Sequence, residues 1–128
     1  MVVDLNMKVL IVDDYPTMLK VLHTLLRQLG FTNIELAEDG AEASEKLKQD
    51  TFGLVISDWN MEPMTGLELL KLVRDDAAMS DLPFIMITAE SSAENVKTAK
   101  EAGVSNYIVK PFTADELRTK LVSVLGDF

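Results

Sequence analysis

Short apolar runs alternate with longer amphipathic stretches along the whole chain. The runs are Lys8-Val9-Leu10-Ile11-Val12, Ile34-Glu35-Leu36-Ala37, Leu54-Val55-Ile56-Ser57, Phe84-Ile85-Met86-Ile87 and Tyr107-Ile108-Val109. They are rich in β-branched residues and shorter than helices, so each reads as a strand. Three are nearly continuous in apolar residues, the pattern of parallel strands covered on both faces. The Ile34 run alternates more, which predicts an edge strand. Between the first two runs, Met18, Leu19, Leu22, Leu25, Leu26 and Leu29 recur at three- and four-residue steps, the spacing of one helix face. Pro16 suits the first turn of that helix and Gly30 its end. The same pattern predicts helices over 41–48, 66–73, 93–102 and 114–125, with Gly103 closing the fourth. Thr113 reads as an N-cap, and Asp115 and Glu116 favour the dipole of the last helix.

Five strand–helix units predict an α/β fold, an open, doubly wound five-stranded parallel sheet with five helices. Right-handed crossovers place the C-terminal ends of all its strands on one edge, where ligands of such sheets bind. The chain has 128 residues and neither a linker nor a low-complexity stretch, so 1–128 reads as one domain.

Composition narrows the function. The net charge of −9 and the pI near 4.5 argue against intrinsic binding to a nucleic-acid backbone, which needs clustered Lys and Arg. No recognition element for DNA is visible. There is no cysteine, which removes disulfides and thiolate metal sites. No basic segment leads into a long apolar stretch and no run approaches a membrane span, so the expectation is a soluble, cytoplasmic protein without membrane insertion.

The residues after four of the five runs are Asp13-Asp14, Asp58, Thr88-Ala89 and Lys110-Pro111. Each has an ordinary reading alone: Asp14 as a helix cap, Thr88 as a turn residue, Lys110 as a solvated loop lysine. Jointly, parallel winding brings them to one edge. Three carboxylates in one cleft repel unless a cation sits among them. With no Cys and a single His, a hard ion with oxygen ligands, Mg²⁺, is the natural answer. A carboxylate so placed can attack phosphorus to give an aspartyl phosphate. Lys110 then supplies a cation and Thr88 a hydroxyl donor for the transferring group.

These residues carry a family resemblance. Val9-Leu10-Ile11-Val12-Asp13-Asp14, Ile56-Ser57-Asp58-Trp59-Asn60-Met61, Ile87-Thr88-Ala89-Glu90 and Tyr107-Ile108-Val109-Lys110-Pro111-Phe112 resemble the response-regulator receiver domain over essentially the whole chain. Asp58-Trp59-Asn60-Met61, Gly66-Leu67-Glu68-Leu69-Leu70-Lys71 and Thr88-Ala89-Glu90 look most like its single-domain, chemotaxis-type (CheY-like) branch. The resemblance implies a flavodoxin-like strand order of 2-1-3-4-5. It implies Asp58 as phosphoryl acceptor from a histidine kinase, with Asp13, Asp14, Asp58 and the Asn60 carbonyl around Mg²⁺. Thr88, Ala89 and Lys110 would bind the phosphoryl group, and Tyr107 would switch the face made by the fourth helix, fifth strand and fifth helix. The Lys110–Pro111 peptide is expected to be cis. Asn60 and Glu90 would flank the attacking water and set how quickly the phosphoryl group is lost. The chain would be no conventional enzyme but a monomeric switch acting on a protein target, with the flagellar motor as one possibility.

The sequence departs from the family at Glu62-Pro63-Met64-Thr65-Gly66, where the proline stands one position late. Pro16 replaces a small polar residue, and Ser91, Ser92 and Ala93 replace a lysine-containing stretch. The last departure leaves the motor partner open. A phosphate sink without a target is the rival within the same chemistry. A Mg²⁺-dependent phosphohydrolase would want an acid where Asn60 stands, and a nucleotide or flavin carrier a Gly- or Ser-rich loop where Asp13-Asp14-Tyr15-Pro16 stands. His23 reads as a partly exposed helical histidine, and most of the seven methionines as core filler.

Overall fold

The structure is a computed structural model describing residues 3–89, 92–126 and 128. Five strands alternate with five helices: β1 (Lys8–Val12), α1 (Pro16–Gln28), β2 (Asn33–Ala37), α2 (Gly40–Gln49), β3 (Leu54–Asp58), α3 (Gly66–Asp75), β4 (Phe84–Thr88), α4 (Ala93–Glu101), β5 (Asn106–Val109) and α5 (Ala114–Leu125). The sheet is wholly parallel, in the order β2-β1-β3-β4-β5. The alternating run does form an edge, β2.

The continuous apolar runs follow from the two-residue period of a strand. Val9 and Ile11 of β1, Leu54 and Ile56 of β3, and Ile85 and Ile87 of β4 pack with Leu19, Leu22 and Leu26 of α1 and Leu117 and Leu121 of α5. The residues between them, Leu10, Val12, Val55, Phe84 and Met86, pack with Ala43 and Leu47 of α2 and Leu69, Leu70 and Val73 of α3. Each central strand therefore buries both faces.

Local chemistry fixes where the helices begin and end. Pro16 occupies the first turn of α1, and Gly30 beyond its end takes φ 108°, a region that costs glycine nothing. Thr65 and Glu68 cap α3 reciprocally: the Glu68 N–H donates to Thr65 Oγ1 at 3.1 Å, and the Thr65 N–H to Glu68 Oε1 at 3.1 Å. Thr113 and Glu116 do the same for α5. Thr65→Ala is expected to cost about 1 kcal/mol, read as a lower urea midpoint at constant slope; an unchanged midpoint would contradict the cap. Two peptides preceding proline are cis, Lys110–Pro111 and Glu62–Pro63; the second lies in the loop with the displaced proline. Among the described residues, no helix is long and apolar enough to cross a membrane.

Candidate functional site

The site is built from the C-terminal ends of β1, β3, β4 and β5. Asp58 and Thr88 are the last residues of their strands, while Asp13 and Lys110 follow theirs directly. Backbone bonds tie these ends together. The Asp13 N–H donates to the Ala37 carbonyl at 3.2 Å, the Trp59 N–H to Ile87 at 2.9 Å, and the Lys110 N–H to Thr88 at 2.8 Å. The side chains thus stand on a rim whose strand ends are joined by backbone hydrogen bonds.

Asp13, Asp58 and Thr88 are buried, whereas Asp14 is exposed. Carboxylate oxygens of Asp13, Asp14 and Asp58 all lie within 4.8 Å of one another. Lys110 Nζ donates to Asp58 Oδ1 at 3.0 Å and sits 3.7 Å from Asp13 Oδ2. Burial pushes the Asp13 carboxyl above its ordinary value; the Tyr15 N–H bond opposes this and the Asp58 charge adds to it. Burial also pushes Asp58 up, against the hydrogen bond and charge of Lys110. In both cases desolvation of the charged form outweighs the stabilising partners.

The two oxygens of Asp13 have different surroundings. Oδ1 accepts the Tyr15 N–H at 2.9 Å. Oδ2 is buried and has no hydrogen-bond partner, since 3.7 Å to Lys110 is too long for one. A buried oxygen left this way calls for an explanation. Three carboxylates against one ammonium also leave an excess of negative charge that a divalent cation would neutralise. Oxygen-only donors suit Mg²⁺ or a similar hard ion, so the residues fit the metal that the sequence implied.

The other expected residues are distributed around this centre. Ala89 is exposed beside Thr88, and Asn60 is exposed two residues after Asp58. Tyr107 is half-buried on β5, with Lys120 Nζ 5.1 Å from its ring centre. Glu90 and Ser91 lie outside the described residues. His23 is half-buried on α1, away from the carboxylates, beside Lys20, Thr24 and Leu36.

Two contributors escape sequence reasoning. The Ser57 hydroxyl donates to the Asp58 carbonyl at 2.9 Å, steadying the backbone of Asp58. Gly66 begins α3 so close to that carbonyl that a Cβ would stand 2.2 Å from its oxygen. Nothing in a strand-then-serine pattern or a helix-starting glycine signals either contact.

Comparison with known proteins gives the family and the fold. A family model described as the response regulator receiver domain matches residues 9–122. The chain belongs to the response regulator receiver family. This receiver is 51% identical over 116 residues to chemotaxis protein CheY-3 of Vibrio cholerae, covering 91% of this chain and 89% of the relative. It is 46% identical over 118 residues to chemotaxis protein CheY of Pseudomonas aeruginosa, covering 92% and 95%. Among solved structures, chemotaxis response regulator CheY4 of Vibrio cholerae superposes with a TM-score of 0.88 at 37% identity, over 94% of this receiver and 99% of that chain. The receiver is thus a CheY-like signalling domain with the flavodoxin-like strand order expected of it.

Proposed function

We propose that this receiver, acting as one unit over residues 1–128, takes a phosphoryl group from a histidine kinase onto Asp58 and signals through a protein partner. The observation that carries this is Asp58 itself: a buried carboxylate at a strand end, held by Lys110 at 3.0 Å and crowded by Asp13 and Asp14.

An Asp58 carboxylate oxygen attacks the phosphorus of a phosphohistidine donor. The phosphorus–nitrogen bond breaks, the imidazole leaves with the electron pair and is protonated, and an acyl phosphate remains on Asp58. Mg²⁺ held by Asp13, Asp14, Asp58 and the Asn60 carbonyl would supply positive charge against the phosphoryl oxygens. Lys110 exchanges its bond to Asp58 Oδ1 for one to a phosphoryl oxygen, and the Thr88 hydroxyl and the Ala89 backbone complete the cradle. Movement of Thr88 shifts the population of Tyr107 packings, changing the face of α4, β5 and α5. Asn60 and Glu90 border the approach of the hydrolytic water. The kinship with chemotaxis proteins favours a chemotaxis-type kinase upstream and a flagellar motor component downstream of a monomeric, cytoplasmic protein.

Trp59, the residue after the acceptor and the single tryptophan, reports on the site. Its fluorescence should change saturably with Mg²⁺ and again on adding beryllofluoride. Mg²⁺ at a hundredfold excess over its dissociation constant should stabilise the fold by about 2.7 kcal/mol, seen in thermal melts and reversed by chelation. Silence of Trp59 to both additions, with no shift in the melt, would remove the reading.

A further inference from the structure

Helix α4 is held to the molecule differently from the other helices. Of its nine residues only Ala99 is buried, whereas α3 buries Gly66, Leu69, Leu70 and Val73. Apolar packing therefore places α4 only weakly. Its C-terminal end is instead clamped by a polar device.

Arg74, in the last turn of α3, donates from Nε to the Gly103 carbonyl at 2.8 Å, from Nη1 to the Leu82 and Ser80 carbonyls at 2.6 and 3.2 Å, and from Nη2 to Ser105 Oγ at 3.4 Å. The guanidinium is half-buried and, among the described residues, has no carboxylate in ion-pair range. Asp81 adds a favourable charge from beyond contact distance, but the hydrogen bonds go chiefly to backbone carbonyls from two loops, a set that Arg's planar fork matches. Gly103 lies two residues past the end of α4, and at φ 93° it approaches the guanidinium so closely that a Cβ would lie 3.2 Å from Nε. Ser105 passes the clamp onward: its Oγ accepts the Phe84 N–H at 3.0 Å, joining the starts of β4 and β5.

The other end of α3 is fixed to the acceptor. The Gly66 N–H donates to the Trp59 carbonyl at 2.9 Å, and the Gly66 backbone lies against that of Asp58. Helix α3 is thus a strut from the phosphorylation site to the clamp. We propose that Arg74 is a positioning residue, the fixed point about which α4 moves, so that a change at Thr88 is expressed at the N-terminal end and outer face of α4. This rests on the receiver reading of Asp58.

The test compares the full chain with Arg74→Met and Arg74→Lys by amide hydrogen exchange, with and without Mg²⁺ and beryllofluoride, alongside Trp59 fluorescence. In Arg74→Met, the Ala102, Gly103 and Val104 amides should exchange roughly 10-fold faster relative to Val55 and Ile56 in the central strand. Mg²⁺ affinity at Trp59 should stay within about twofold, because the strut's upper end is untouched. The exchange change that beryllofluoride induces in α4 should fall by at least about half, with Arg74→Lys, one donor head in place of a fork, between the two. Arg74→Lys carries the same comparison if the methionine variant does not fold. Exchange raised by one common factor across sheet and helices, or an α4 response equal to that of the unsubstituted protein, overturns the anchor while leaving the receiver reading intact. Silence of Trp59 in the unsubstituted protein overturns both.

Discussion

Asp58→Asn is expected to take up no phosphoryl group from any donor, while folding at least as stably as the unsubstituted protein. The amide has no free carboxylate oxygen to attack phosphorus, and its nitrogen lone pair is delocalised, so the loss is complete. Stability moves the other way because the Asp58 carboxyl titrates above its ordinary value in the fold. Its charged form is therefore less at home in the native site than in the unfolded chain. The sign follows from linkage: above the raised folded value the full penalty acts, and below the unfolded value of 3.8 it is gone. The metal-free variant should exceed the metal-free protein in melting temperature at neutral pH. That advantage should fade as the pH falls through the raised value toward 3.8. Denaturation curves of the pair over this range measure it directly. A variant less stable than the protein at neutral pH would mean that the Lys110 bond at 3.0 Å outweighs desolvation.

The outline of this site was legible because the fold is parallel. Asp13 and Lys110 are 97 positions apart in the sequence, yet strands that all run parallel carry the residue after each of them to the same sheet edge. Continuous runs such as Val9-Leu10-Ile11-Val12 likewise demanded cover on both faces, and both faces are covered. What stayed hidden depends on close approach and backbone acceptors. The bonds of Arg74 go chiefly to carbonyls, which every residue owns, so no side-chain pattern announces the clamp. The unmatched fates of the Asp13 oxygens depend on a backbone N–H at Tyr15 and a lysine that stops short, distances no spacing encodes. Gly66 belongs to the same class: a glycine at the first helical position reads as a weak helix former until the carbonyl behind it is seen.

That carbonyl makes Gly66→Ala the most informative change outside the carboxylates. Gly66 has no positive φ, so alanine's backbone preferences are not violated. Helix propensity alone would favour alanine by up to about 1 kcal/mol. The added Cβ, however, would stand 2.2 Å from the Asp58 carbonyl oxygen and 2.8 Å from Met86 Sδ. The methionine can rotate away. The carbonyl cannot, because it lies on the Asp58 peptide itself, held by the Ser57 hydroxyl and by pairing of β3 with β4. Relief must come from a shift of about 1 Å, either of α3 away from the sheet or of Asp58 away from Lys110. The expected result is a loss of about 1–3 kcal/mol in urea unfolding, as for other overpacked sites. Phosphoryl uptake should fall about 10²-fold, the cost of misplacing a reacting group by that distance. Replacing Met86 as well, by the smaller Val, should restore little of either, since the obstacle is backbone. A Gly66→Ala protein that is as stable as the parent and takes up phosphate normally would show that the strut does not bear on the acceptor.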